Sequence, residues 1–224
     1  MANLLTLALT ETTQTQYEVV AWDLDENKWV LLPKLPLNSA TIDNKPVWDL
    51  FQVTSANIAR DYTEARSNVH RIDYTIPPKP VDIITGDDRL KWLHKLSLNK
   101  SVDTPIGTTT YVTMVEPDNI TDIIMTPKEN VAELRRPFFW ENRIEFQLNG
   151  VTWEPAMSKV GVACKDLRWK TFWHEIALNR PTYFLAARNK WLKFLSKNKT
   201  FFVVEYYNNH RNYVIAGVHS LPYK

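Results

Sequence analysis

The chemistry this chain can offer starts with a run of cations. Residues 176–204 hold Arg180, Arg188, Lys190, Lys193, Lys197 and Lys199 and no acid. The same stretch carries Tyr183, Phe184, Trp191, Phe194, Phe201 and Phe202. Cations meet phosphates and rings stack on bases, at about 1–3 kcal/mol per base, so this mixture is what a single-stranded nucleic acid requires. A solvated basic face beside core rings is the commoner meaning of such a run. Arg135, Arg136 and Arg143 surround Pro137-Phe138-Phe139-Trp140 in a second basic and aromatic cluster. It reads either as a loop whose rings plug a barrel end, or as one that stacks a base and clamps a phosphate. His210 and Arg211 lie in a polar hairpin tip, Asn208 to Asn212, and offer a further contact. Five phosphates neutralised by Arg188, Lys190, Lys193, Lys197 and Lys199 would give a log–log salt slope of about −3.5 to −4.5.

Other chemistries are poorly provided for. The histidines are His70, His94, His174, His210 and His219, too dispersed for a zinc motif, and His174-Glu175 lacks the second histidine of H-E-x-x-H. Cys164 is the only cysteine and sits in an apolar context, which suits a small core residue. There is no G-x-S-x-G, and the five glycines form no phosphate-cradling loop. A magnesium nuclease would draw on Asp122, Glu145, Asp87 and Asp88, but Glu145-Phe146-Gln147 lacks the expected lysine. Asp87 and Asp88 are better explained as helix N-terminal charges. No catalytic residue, metal or cofactor is expected.

Composition bounds the class. The chain has 224 residues, 44% hydrophobic and 23% charged, which excludes disorder throughout. A single cysteine suits a reducing cytoplasm, and no apolar stretch is long enough for a membrane helix. Residues 1–27 hold five acids (Glu11, Glu18, Asp23, Asp25, Glu26) and no lysine or arginine, so the charge is opposite in sign at the two ends.

The elements that must position these residues read mostly as strands. Tyr17 to Leu24 and Lys28 to Leu32 flank Asp25-Glu26-Asn27 as a hairpin that Pro33 and Pro36 end. Trp48 to Thr54 and Arg71 to Ile76 alternate, and Tyr111 to Val115 and Ile120 to Met125 are weaker strands. Arg143 to Glu154 is the clearest hairpin, because Asn149-Gly150 signals a type I′ turn. It puts Ile144, Phe146, Leu148, Val151 and Trp153 on one face and leaves Arg143, Glu145, Gln147 and Thr152 wet. Phe201 to Tyr207 and Tyr213 to Val218 form a last hairpin. Helices are predicted near 85–96, 166–178 and 188–196. In the second, Trp169, Phe172, Trp173 and Ile176 follow i, i+3, i+4, i+7 and read as core. In the third, Lys190, Lys193 and Lys197 form one basic edge.

The order of these segments resembles a known family. A strand pair reaches Lys28-Trp29-Val30, a strand follows over Val47 to Val53, a shorter one over Arg71 to Ile76, then the Arg143 to Glu154 hairpin and a closing strand at Tyr213 to Val218. This resembles the dual-OB domain of prokaryotic proteins, two fused OB-like barrels. The likeness covers most of the chain on diffuse motifs. The family often opens on a strand and a turn rich in Cys, Lys and Gly; Leu4 to Ala21 has none of these and is acidic. The first barrel is therefore expected to be structural or protein-facing.

The expectation is a mainly β, α+β protein of two small OB-like barrels, residues 1–80 and 81–224, with helical insertions in the second. The expected function is nucleic-acid binding as an accessory subunit of a prokaryotic nucleic-acid-processing or defence complex, as the resemblance implies. The residues are Arg135, Arg136, Trp140, Arg188, Lys190, Trp191, Lys193, Lys197, Lys199, His210 and Arg211. Two alternatives stand beside it: a protein–protein adaptor, since tryptophan and arginine concentrate at interface hot spots, and a metal-dependent nuclease without a recognisable motif.

Overall fold

The computed structural model describes residues 1–13, 15–42, 45–63, 66–97, 111–127, 140–153, 160–207 and 212–222. The chain divides into two units, Met1–Trp92 and Leu93–Lys224.

The first unit contains β1 (Ala2–Thr13), β2 (Gln16–Asp23), β3 (Lys28–Pro36), β4 (Thr41–Ile42), β5 (Lys45–Pro46), β6 (Gln52–Ala56), β7 (Ile58–Arg60), β8 (His70–Ile72) and β9 (Lys79–Ile83). Five of them form an antiparallel sheet in the order β3-β2-β1-β6-β9, and β4–β5 and β7–β8 are two-stranded ribbons. At the centre, β1 buries Leu4, Leu5, Leu7 and Ala8 completely. A strand buried on both faces shows a continuous apolar run, with no period to betray it, so β1 was not legible as a strand.

The β2–β3 hairpin forms as predicted, with Trp22 opposite Trp29 and their rings edge to face at 5.4 Å. The Asp23 carboxylate accepts from the Asp25 and Glu26 amides at 2.9 and 3.1 Å, and Asn27 takes a left-handed φ of 52°. Pro33 does not end the hairpin. The register shifts between the partners of Tyr17 and Val19, Lys34 takes φ 59°, and β3 continues to Pro36; an irregularity is where a strand tolerates proline. The strand predicted over Trp48 to Thr54 begins only at Gln52. Before it, the Leu50 amide donates to Asp49 Oδ1 at 2.7 Å and Gln52 N donates to Asp49 O at 3.0 Å, with Phe51 at φ 63°. Local bonding by an aspartate competes with a ladder, and here it makes a turn.

A helix, α1 (Asp87–Ser97), carries the division between the units. The second unit continues with β10 (Val112–Val115), β11 (Asn119–Pro127), β12 (Trp140–Leu148), β13 (Val151–Thr152), β14 (Val162–Cys164), α2 (Leu167–Asn179), α3 (Phe184–Lys197), β15 (Lys199–Tyr207) and β16 (Asn212–Leu221). Its sheet runs β10-β15-β16-β14-β12-β11, with β13 on β12; β14 and β16 pair in parallel and the other neighbours are antiparallel. Ile123, Ile144, Phe146, Phe202, Val204 and Ile215 from this sheet form one apolar cluster with Trp169, Trp173 and Ile176 of α2 and Ala187 and Leu195 of α3. The stripe on α2 is core, as its spacing predicted.

The Asn149-Gly150 turn has the left-handed φ values of 53° and 74° that its chemistry demands. Leu148 lies opposite Val151, and the Phe146 and Trp153 rings meet at 5.3 Å. The face assignment holds for Ile144 and Phe146 but fails at two positions. Val151 is 65% exposed, and Arg143, expected to be wet, is 5% exposed. Arg143 lies opposite Ala163 of β14, and its Nε donates to Val160 O at 2.9 Å, so a neighbouring segment rather than solvent satisfies it.

Neither strand path closes on itself among the described residues. The architecture is mainly β with three α-helices described, an α+β arrangement of two open sheets where small closed barrels were expected. None of the described helices is long and apolar enough to cross a membrane.

Candidate nucleic-acid interface

The acid-free tract folds into a helical pair. Asp166 caps α2, its Oδ1 accepting from the Arg168 and Trp169 amides at 2.9 and 3.1 Å. At the other end Arg180 donates its amide to Ile176 O at 3.0 Å, and a 3-10 turn, Pro181–Tyr183, leads into α3. Trp173 meets Phe184 at 5.5 Å, near the start of α3, and Trp169 meets Trp191 at 5.0 Å, nearer its end. The two helices therefore run in opposite directions and meet through their aromatic side chains.

Between them lies a pocket of about 430 Å3. From α2 it is lined by Phe172, Glu175 and Ile176, followed by Arg180. Residues at i, i+3 and i+4 share a face, which is why these three converge. Tyr183, Ala187, Lys190, Trp191 and Phe194 line it from the other side. Trp191 is half-buried and held edge to face by Phe172 at 5.5 Å and Phe194 at 5.5 Å. Edge-to-face contacts of this kind fix a ring's orientation. Tyr183 and Phe194 are 41% and 42% exposed, so the mouth of the pocket offers aromatic surface to solvent.

The predicted cations separate into two sets. Lys190, Lys193 and Lys197 are exposed and form no ion pair or hydrogen bond among the described residues. Lys190 is on the pocket, and the other two continue along its edge of α3. Arg188 and Lys199 do not join them. The Arg188 guanidinium pairs with Asp122 and donates to Ile123 O at 3.0 Å, both on β11. Lys199 Nζ lies 2.6 Å from Glu116 Oε1. A cation already engaged with a carboxylate has little net attraction left for a phosphate. Trp191 forms part of the pocket wall, and two of its ring contacts, Trp169 and Phe172, belong to the core cluster.

Of the second cluster and the hairpin tip, Arg135, Arg136, His210 and Arg211 lie outside the described residues. Trp140 opens β12 opposite Pro127, and only its backbone placement is described.

The residues weighed for catalysis are buried, engaged by neighbours or placed at a helix start. Cys164 is buried, and burial pushes its thiol well up from the ordinary value. Asp122 and Glu145 are register partners across β11 and β12, but Asp122 is paired with Arg188 and Glu145 accepts from the Thr121 hydroxyl at 2.7 Å. Asp87 and Asp88 sit in the first turn of α1, where negative charge meets the helix dipole, and Asp88 also pairs with Lys91 at 2.7 Å. Among the described residues there is no group of three or more His, Cys, Asp or Glu able to hold a metal.

The sequence reading missed Phe172, Glu175, Ile176, Arg180, Tyr183 and Phe194 as parts of one site. Phe172 and Ile176 belong to the core stripe, and nothing local says that its flank opens into a pocket. Arg180 and the rings of the acid-free tract were visible individually. Their convergence with Glu175 needs the helical pair.

No family model matches this chain, and no curated protein matches it.

Proposed function

We propose that this chain binds single-stranded nucleic acid along the outer edge of α3, with the α2–α3 pocket taking up an unpaired base. The observation that supports it is the juxtaposition of Lys190, Lys193 and Lys197, all exposed and uncommitted among the described residues, with a pocket walled by Trp191, Phe172 and Phe194. Lysines on one helix edge meet a phosphate backbone as point charges. A splayed base finds a ring surface beside them. With the dual-OB resemblance, this suggests an accessory subunit of a prokaryotic nucleic-acid-processing complex.

The test is a titration of single- and double-stranded DNA and RNA at low and moderate salt. Tight, salt-sensitive binding of single strands that is lost on charge reversal at Lys190, Lys193 and Lys197 is the expected result. Absence of binding at low salt removes the proposal.

A second reading, a protein adaptor, draws on a different surface. In the first unit Tyr62, Tyr74, Ile76, Val81 and Ile83 are between 48% and 82% exposed, and Val81 and Ile83 lie on the sheet-edge strand β9. Apolar residues gathered at a sheet edge favour a protein partner. A stoichiometric partner that survives nuclease and high salt would support that reading.

A further inference from the structure

Phosphate capture leaves one pocket residue unexplained. Glu175 is an exposed carboxylate on the rim of a pocket whose other charges, Arg180 and Lys190, are cations. All three lack an ion pair or side-chain hydrogen bond among the described residues. A carboxylate facing a polyanion is repulsive unless it has a donor to meet, and an ionised carboxylate only accepts. Its fitting partner within a DNA strand, whose sugars carry no free hydroxyl, is therefore the donor edge of a base.

The bases differ in what they present. Adenine and cytosine each offer one exocyclic amine next to a ring acceptor. Thymine and uracil offer one ring N–H between two carbonyl oxygens, which a carboxylate repels. Guanine alone sets two donors, N1–H and the N2 amine, side by side on its Watson–Crick edge. Two parallel donors match the two oxygens of a carboxylate, the arrangement that makes bidentate pairs strong. The pocket, at about 430 Å3, falls in the lower part of the range of about 300–1,000 Å3 typical of small-molecule sites, which suits one base with its sugar.

We infer that the α2–α3 pocket is selective for a guanine nucleotide. The base lies against Trp191, Glu175 accepts from its N1–H and N2 amine, and Lys190 and Arg180 meet the flanking phosphate. This inference rests on the nucleic-acid reading above and adds a base preference to it. Glu175 acts as the specificity residue and adds nothing to capture of the backbone.

The experiment is fluorescence anisotropy with labelled oligo-dT and the same oligomer carrying one central dG, dA or dC, together with competition by free GMP and by free AMP. The native protein and Glu175→Gln are compared, and a thermal melt confirms that the exposed substitution leaves the fold intact. The expected result is about tenfold tighter binding of the dG oligomer, the worth of one good bidentate base contact. In Glu175→Gln this preference falls to within about twofold while oligo-dT affinity holds or rises, because a negative charge has gone. Equal, salt-sensitive binding of all four oligomers overturns the guanine assignment and leaves the nucleic-acid reading standing, as does a preference for dA or dC. Binding of GMP in preference to AMP, sensitive to Glu175→Gln, with no oligomer bound, supports the pocket assignment and overturns the polymer reading; equal binding of GMP and AMP overturns the guanine assignment. No binding of any probe overturns both.

Discussion

Arg188 of α3 reaches across to β11, where it pairs with the Asp122 carboxylate and donates to the adjacent Ile123 carbonyl at 3.0 Å. The contact ties a helix to a sheet edge, and it takes one cation out of the basic tract. A guanidinium can do both because its donors form a rigid fork. Arg188→Ala should lower stability by about 1.5–3 kcal/mol, nearer the lower figure because the pair is partly exposed. Nucleic-acid affinity, measured on the folded fraction, should not change. Chemical denaturation beside a binding titration checks both halves.

The same division of cations sets the salt dependence. Three exposed lysines, each neutralising one phosphate of a single strand, give a log–log slope of about −2. The slope of about −3.5 to −4.5 expected from five cations requires Arg188 and Lys199 to abandon Asp122 and Glu116. A titration series over salt concentration separates the two. Reversal of charge at Lys190, Lys193 and Lys197 should remove most of the slope, leaving no more than about −0.7 from the phosphate that Arg180 still meets.

Asp166 holds two elements at once. Its Oδ1 caps α2, and its Oδ2 accepts from the Val218 amide of β16 at 2.9 Å, with the side chain buried. Asp166→Ala removes the cap and leaves a buried amide without its acceptor, at a cost of about 2–4 kcal/mol. Asp166→Asn retains one acceptor and should lose less. Urea unfolding of the two variants supplies the comparison.

A Cβ at Gly161 would crowd the backbone of β12. The residue has φ 73°, and a Cβ there would stand 3.0 Å from Ile144 O and 3.2 Å from Glu145 N, both backbone atoms of β12. Gly161→Ala should cost about 1–3 kcal/mol through left-handed strain and displaced backbone. Gly150 has φ 74° but nothing within 4 Å, so Gly150→Ala should show the conformational penalty alone. A smaller loss at 161 than at 150 would contradict the packing of β12 against the segment leading into β14.

Asp61 gives a pH signature in the first unit. The Thr63 hydroxyl donates to it at 2.6 Å and the Arg71 guanidinium is also bonded to it, which holds its carboxyl down to about 2. A carboxyl depressed on folding stabilises the fold fully above its unfolded value, and that contribution is lost as pH falls through about 2. Carboxyl-carbon NMR should show the midpoint there, and Thr63→Val should move it upward.

Much of the second unit was legible because its signals are local. Asn149-Gly150 dictates its turn through the φ values it tolerates, and the α2 stripe is core because residues three and four apart share a helix face. Other signals were local and misleading. Val151 carries the apolar mark of a core residue yet stands at 65% exposure, and Arg143 carries a charge yet is buried, since what covers a strand comes from elsewhere in the chain. The Trp48 to Phe51 segment alternates like a strand and turns because Asp49 bonds its own neighbours.

The sequence alone determined that this is a β-rich protein with an acid-free, aromatic-rich tract carrying Lys190, Lys193 and Lys197 on one helix edge, because composition and periods of two and 3.6 residues are properties of the chain itself. Only the tertiary structure decided that Arg188 and Lys199 are spent on Asp122 and Glu116, that the sheets stay open among the described residues, and that Glu175 and Arg180 join Trp191 around one pocket. Those outcomes depend on contacts such as that between residues 122 and 188, whose separation along the chain leaves no local pattern to read.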